Sequence, residues 1–219
     1  MKTLLFCASY ANSKESWNHR WRRWLDHHST IGLDHNQILI VDDGSPVLPD
    51  WPDCEVIEDL SALPNTKIVI YHYKNNLGCG APFEYPGLYR SLSTGIAYAV
   101  KYGFDKVLNI ESDAFVLSQQ LVKYINDVDN DWLAMWDHHF NIPELGINVA
   151  AGTGLEKCCL FFEQSYENLR GKMLEVELPF TQVEKNFTGA RYGEFLDSVP
   201  DNADYANQID QLWQTIRKK

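Results

Sequence analysis

The sequence predicts an α/β fold, a single domain with a mixed, mostly parallel sheet and helices on both faces. Three observations carry this. Short runs dominated by apolar residues, at 3–8, 37–41, 67–73, 106–110 and 132–136, read as interior strands. Stretches of helical period lie between them, near 13–28, 88–102 and 118–127. The strands also stop at polar groups: Ser9 and Tyr10, Asp42 and Asp43, Lys74 and Asn76, Glu111 and Asp113. Ligands gather at such a carboxyl edge in open α/β sheets.

Composition narrows the function classes. The chain has 219 residues, 45% of them hydrophobic, enough for one full core. A formal charge of −11 argues against a nucleic-acid binder, whose footprint is basic. The five cysteines have no zinc-ligand or C-x-x-C spacing, which favours reduced, mostly buried thiols and a cytoplasmic protein. The apolar part of residues 1–8 is too short for a signal peptide and reads as the first strand. No run approaches the roughly 18 apolar residues of a membrane span, although peripheral membrane contact stays open.

In order, Asn12 with Glu15 has capping-box spacing, so a helix begins near Ser13. Trp17, Trp21, Trp24, Leu25 and His28 form its core-facing stripe, with Arg20, Arg22 and Arg23 off it. Pro46, Pro49 and Pro52 keep the segment after the second strand irregular. Residues 79–87 are a loop. Leu88, Leu92, Ile96, Ala99 and Val100 line one face of the next helix, with Gly103 in the C′ position. Ser118 caps a helix that buries Leu121, Val122 and Ile125. Beyond residue 137 the pattern weakens. It suggests a loop at Gly152-Thr153-Gly154 and strands at 158–162 and 175–180. A helix is expected within 189–197, and an amphipathic helix over 203–217 with Ile209, Leu212, Trp213 and Ile216 on one side.

The chemistry concentrates at residues 106–116. On extended backbone Glu111 and Asp113 point the same way, and two neighbouring carboxylates repel unless a cation joins them. A hard divalent ion, Mg²⁺ or Mn²⁺, is one such partner; helix capping and solvation are the plain alternative. His138 is a further metal-ligand candidate.

Three stretches, in order, resemble the family-2-like glycosyltransferases with the A-type nucleotide-sugar fold, over roughly residues 1–137. Ile40-Val41-Asp42-Asp43-Gly44-Ser45 is similar to the family's V-D-D-G-S. Asn76-Leu77-Gly78 with Arg90-Ser91-Leu92-Ser93-Thr94-Gly95-Ile96-Ala97 is similar to its N-x-G…R-N-x-G-x-x-x-A. Glu111-Ser112-Asp113 stands in the place of D-x-D, with Glu for the first Asp.

The resemblance implies a single Rossmann-like nucleotide-diphospho-sugar transferase domain over 1–219. Residues 1–115 would form its nucleotide-binding half and 116–219 its acceptor half. It implies a transferase that uses Mn²⁺ or Mg²⁺ to move a sugar, hexosyl in type, from a nucleoside diphosphate such as UDP to a glycan-type acceptor, in polysaccharide synthesis. Donor contacts would come from Ser9, Tyr10 (stacked on the base), Asp42, Asp43, Lys74, Asn76, Arg90 and Glu111. Metal ligands would be Asp113 and Glu111, with His138. Gly193-Glu194-Phe195 has Phe where relatives carry the catalytic Asp, so Glu194 stands as the base, with Glu184 and Asp197 as alternatives. A non-catalytic nucleotide-binding module and a sugar nucleotidyltransferase are the alternatives.

Overall fold

The computed structural model describes residues 1–81 and 83–209. Its main sheet has eight strands in the order β3-β4-β2-β1-β5-β8-β7-β9. These are β1 (Thr3–Ser9), β2 (Gln37–Asp42), β3 (Cys54–Ile57), β4 (Ile68–His72), β5 (Lys106–Ile110), β7 (Trp132–Asp137), β8 (Ile142–Ala151) and β9 (Gln182–Glu184). The pairs among β1 to β5, and β7 with β9, are parallel; β8 runs antiparallel to both β5 and β7. A small sheet joins β10 (Gly189–Ala190), β11 (Tyr205–Ala206) and β6 (Phe115–Val116).

Side chains that alternate along the central strands split the core in two. Leu5, Cys7, Ile38, Ile40, Leu108 and Ile110 face one layer with Trp17, Trp21, Trp24 and Leu121. Leu4, Phe6, Leu39, Val41 and Val107 face the other with Leu92, Ile96 and Cys158. The first layer is built by α1 (Lys14–Ser16), a π-helical stretch Trp17–Arg22, α2 (Arg23–His28) and α4 (Gln119–Asp127). The second is built by α3 (Pro86–Lys101), α5 (Gly152–Phe162) and α6 (Leu174–Glu177). Helices therefore cover both faces.

Several expectations change. Ser13, not Asn12, caps the first helix, its Oγ accepting from Ser16 N at 3.1 Å. Arg23 is buried although it lies off the tryptophan stripe. Residues 54–57 form an outer strand where an irregular segment was expected. Gly152–Phe162 is a helix rather than a loop and a strand. Leu155, Cys158, Cys159 and Phe162 recur at helical spacing against the second layer. Residues 174–177 form a helical turn, and 189–197 hold β10 and a 3₁₀ turn, Tyr192–Glu194, rather than a helix. Within 203–217, residues 205 and 206 are strand; the rest of that segment from 210 on lies outside the described residues. The expected caps of α3 and α4 are present: Gly103 has φ +64, and Ser118 Oγ accepts from Leu121 N.

All five cysteines are free thiols, with Cys7 and Cys158 buried and Cys79 exposed. No helix among the described residues is long and apolar enough to cross a membrane.

His28 is fully buried, stacked on Phe115, with Nδ1 3.0 Å from Trp24 O. Burial, and then the neighbouring His27, hold its pKa well below 6.5. As pH falls, the unfolded chain takes up this proton first. Stability present above about pH 6.5 is therefore lost on acidification, by at most about 1.4 kcal/mol per pH unit. His28→Phe keeps the ring and removes that slope; parallel urea-midpoint curves for both proteins from pH 7 to 5 would contradict this.

Candidate active site

A cavity of about 650 Å³ opens at the carboxyl edge of the central strands. It is lined by Ser9 and Tyr10 after β1, Asp43 after β2, Asn76 and Gly78 after β4, and Glu111, Ser112 and Asp113 after β5. Parallel strands in register deliver these turns to one edge, so residues about 100 positions apart in sequence share a wall. A second cavity, about 790 Å³, lies at the opposite, amino edge, lined by Met1, Phe104, Asp105, Gly152 and Leu155 among others.

The two acids after β2 have different settings. Asp42 is fully buried behind the cavity and does not line it. Its oxygens accept from Ser9 Oγ (3.1 Å), Ser45 N (2.9 Å) and Ser45 Oγ (2.5 Å), and meet His72 Nδ1 at 2.7 Å. Asp43 lines the cavity, but its Oδ2 accepts from Asn76 Nδ2 (2.8 Å), Leu77 N (3.0 Å) and Gly78 N (2.9 Å). Its Oδ1 accepts from the Arg90 guanidinium. A carboxylate has about four acceptor sites, and four donors meet this one, three on Oδ2 and one on Oδ1. Asp43 thus holds the 76–78 loop. Residue 87 must be glycine for this, since a Cβ there would lie 2.3 Å from Asp43 Oδ2.

Tyr10 projects into the cavity mouth with 47% of its surface exposed. Asp113 is met by an unexpected partner, Arg20, whose Nη2 donates to Oδ2 at 2.9 Å while its Nε donates to Ser112 Oγ at 2.6 Å. Burial pushes the Glu111 carboxyl up to about 8, helped by the nearby Asp113, Glu144 and Glu175 carboxylates and opposed by Arg191. Beside it, Arg191 Nε donates to Glu144 Oε2 at 2.8 Å and Nη2 to Glu175 Oε1 at 2.6 Å.

Other expected site residues lie elsewhere. Lys74 is exposed and pairs with Glu58 at 3.3 Å, because it leaves β4 toward the outer strand. Arg90 does not line the cavity; it is drawn to Asp43 and to Asn75 O (2.6 Å), its guanidinium 3.8 Å above the Tyr73 ring. His138 Nε2 meets Lys185 O at 2.9 Å and stands outside the cavity. Glu184, on β9, accepts from Asn186 N at 2.6 Å. Glu194 sits on the 3₁₀ turn, 3.9 Å from Arg191 Nη1. Neither glutamate lines the cavity. Arg20 and the Arg191 cluster carried no sequence signal, since their partners are distant in the chain.

No cluster of three or more His, Cys, Asp or Glu suited to a metal occurs among the described residues. Glu111 and Asp113 nevertheless both line the cavity. One or two carboxylates completed by substrate phosphate and water are the usual Mg²⁺ arrangement, so the pair fits an ion that arrives with a diphosphate.

No protein-family model and no curated protein matches the sequence. Among solved structures, the galactosyltransferase LgtC in complex with donor and acceptor sugar analogues aligns with a TM-score of 0.52 and 12% identity. That alignment covers 93% of this chain and 86% of that one. An active-site mutant of LgtC gives 0.51 at 12% identity, over 94% and 86%. The chain therefore has the A-type nucleotide-diphospho-sugar transferase fold.

Asp43→Ala removes the carboxylate that Asn76, Leu77, Gly78 and Arg90 share, leaving Arg90 only Asn75 O. Denaturant melts should show a loss of about 3–5 kcal/mol, the cost of stranding a buried charge. A loss below about 1 kcal/mol would show that the cage is not needed.

Proposed function

We propose that this protein is a divalent-metal-dependent glycosyltransferase, family-2-like in its motifs, acting on a nucleoside-diphosphate sugar. The observation that carries the reading is the convergence of Tyr10, Asp43, Glu111 and Asp113 on one cavity at the carboxyl edge. The shared fold with LgtC supports it. A hydroxyl-bearing, glycan-type acceptor in polysaccharide synthesis, a hexosyl donor on UDP, and a cytoplasmic setting belong to the same reading. So does the division into a nucleotide half, 1–115, and an acceptor half, 116–219.

Each residue then has a task. Tyr10 stacks on the base. The 76–78 loop, pinned by Asp43, forms the wall beside it. Glu111 and Asp113 hold Mn²⁺ or Mg²⁺ together with the diphosphate. The ion supplies Lewis acidity toward the departing nucleoside diphosphate and offsets its charge. Ser112 Oγ holds Arg20 beside Asp113 while no ion is bound. Glu194, at the margin of the Arg191 cluster, is the proposed base for the acceptor hydroxyl. Glu184 ranks behind it, since its carboxylate already accepts the Asn186 N–H.

The position of Glu184 and Glu194 outside the cavity favours a second reading, a nucleotide-binding module without turnover. Donor hydrolysis separates the two: UDP-sugar turnover with Mn²⁺, abolished by Asp113→Ala, supports the enzyme, and nucleotide binding without turnover supports the module.

Thermal unfolding with UDP and Mn²⁺ tests the site itself. The melting temperature should rise with both together, since a ligand confined to the folded state stabilises it. Tyr10→Ala should weaken UDP binding about tenfold, as loss of one base–aromatic stack does. If neither UDP nor GDP moves the melt with metal present, the reading is wrong.

A further inference from the structure

Arg20 is the only cationic side chain lining the cavity among the described residues, against three acids, Asp43, Glu111 and Asp113. It gets there because Trp17 and Trp21 turn into the core on the π-helical stretch. That leaves Arg20 on the flank facing the β5 turn. Its fork is partly spent: Nε on Ser112, one Nη2 hydrogen on Asp113. Nη1 has no hydrogen-bond partner among the described residues, and the side chain is 33% exposed. Asp43 is neutralised separately by Arg90. The one cavity cation therefore sits on the carboxylate that a metal ion would take.

Resting on the function proposed above, we infer that Arg20 and a divalent cation exchange on Asp113. Arg20 compensates this carboxylate while no ion is bound. It becomes the protein's own contact to the donor diphosphate once the ion displaces it. Three physical points support the exchange. The Asp113 side chain is only 9% exposed, so one cation or the other must answer its charge. Two cations on one carboxylate repel, which drives the guanidinium off as the ion arrives. A planar guanidinium with an uncommitted Nη1 matches phosphate oxygens pairwise. In a chain of charge −11, a fixed cation beside the ion also lowers the barrier to an anionic donor.

The test reads two affinities that move in opposite directions. Wild type, Arg20→Gln and Arg20→Lys are titrated with Mn²⁺ alone, followed by the electron spin resonance of the free ion. They are then titrated with UDP and with inorganic pyrophosphate at saturating Mn²⁺, followed by calorimetry. Arg20→Gln should bind Mn²⁺ about tenfold tighter and the two diphosphates about tenfold weaker, each equivalent to ~1.4 kcal/mol. Arg20→Lys, with charge but no fork, should fall between in both. A purely structural tie predicts instead that Arg20→Gln loses Mn²⁺ and diphosphate affinity together with thermal stability, which would overturn the exchange. Unchanged Mn²⁺ affinity in Arg20→Gln, with UDP and Mn²⁺ still binding wild type, would overturn the exchange alone. Wild type that binds UDP under no condition would overturn the proposed function as well.

Discussion

The carboxylate of Asp43 accepts two side-chain donors and two backbone N–H groups, and the cavity's shape depends on that commitment. The turn after β2 and the loop after β4 come from neighbouring parallel strands, so one acid can reach both. Once it does, the loop cannot move without stranding a largely buried charge. Gly87, at the first turn of α3, must approach without a Cβ, which sets where that helix begins. Asp42 does the corresponding work one layer deeper, tying the ends of β1, β2 and β4 together through Ser9, Ser45 and His72.

A pattern of local neutralisation runs along the same edge. Asp43 is answered by Arg90, Asp113 by Arg20, and Glu144 with Glu175 by Arg191. Glu111 has no guanidinium of its own and is held up in pKa by burial and by its acidic neighbours. An acidic chain thus presents an edge close to neutral, as the proposed anionic donor requires.

How far the sequence reveals this depends on burial. β1, β2 and β5 are covered on both faces, and their almost continuous apolar runs stand out. β3 is a half-buried outer strand after three prolines, with no such run. Ala151 before α5 offers no capping side chain, and two glycines open the helix, so its start signal is missing and its apolar end mimics a strand. Tyr10, Asp43, Glu111 and Asp113 were legible as polar groups at strand ends. The shell of donors around Asp43 was not, because half of them are backbone N–H groups that no residue type advertises. Arg20 meets Ser112 and Asp113 from 92 and 93 positions away, so on its own helix it reads as a solvent-facing residue.

On the proposed function, one cavity at the carboxyl edge takes a nucleoside diphosphate with its metal. Anomalous diffraction from a crystal grown with UDP and Mn²⁺ tests this most directly. One manganese peak is expected in contact with the Asp113 carboxylate, with Glu111 beside it and the uracil ring against Tyr10. Nucleotide density in the amino-edge cavity by Phe104 and Leu155, or manganese remote from Asp113, would contradict it.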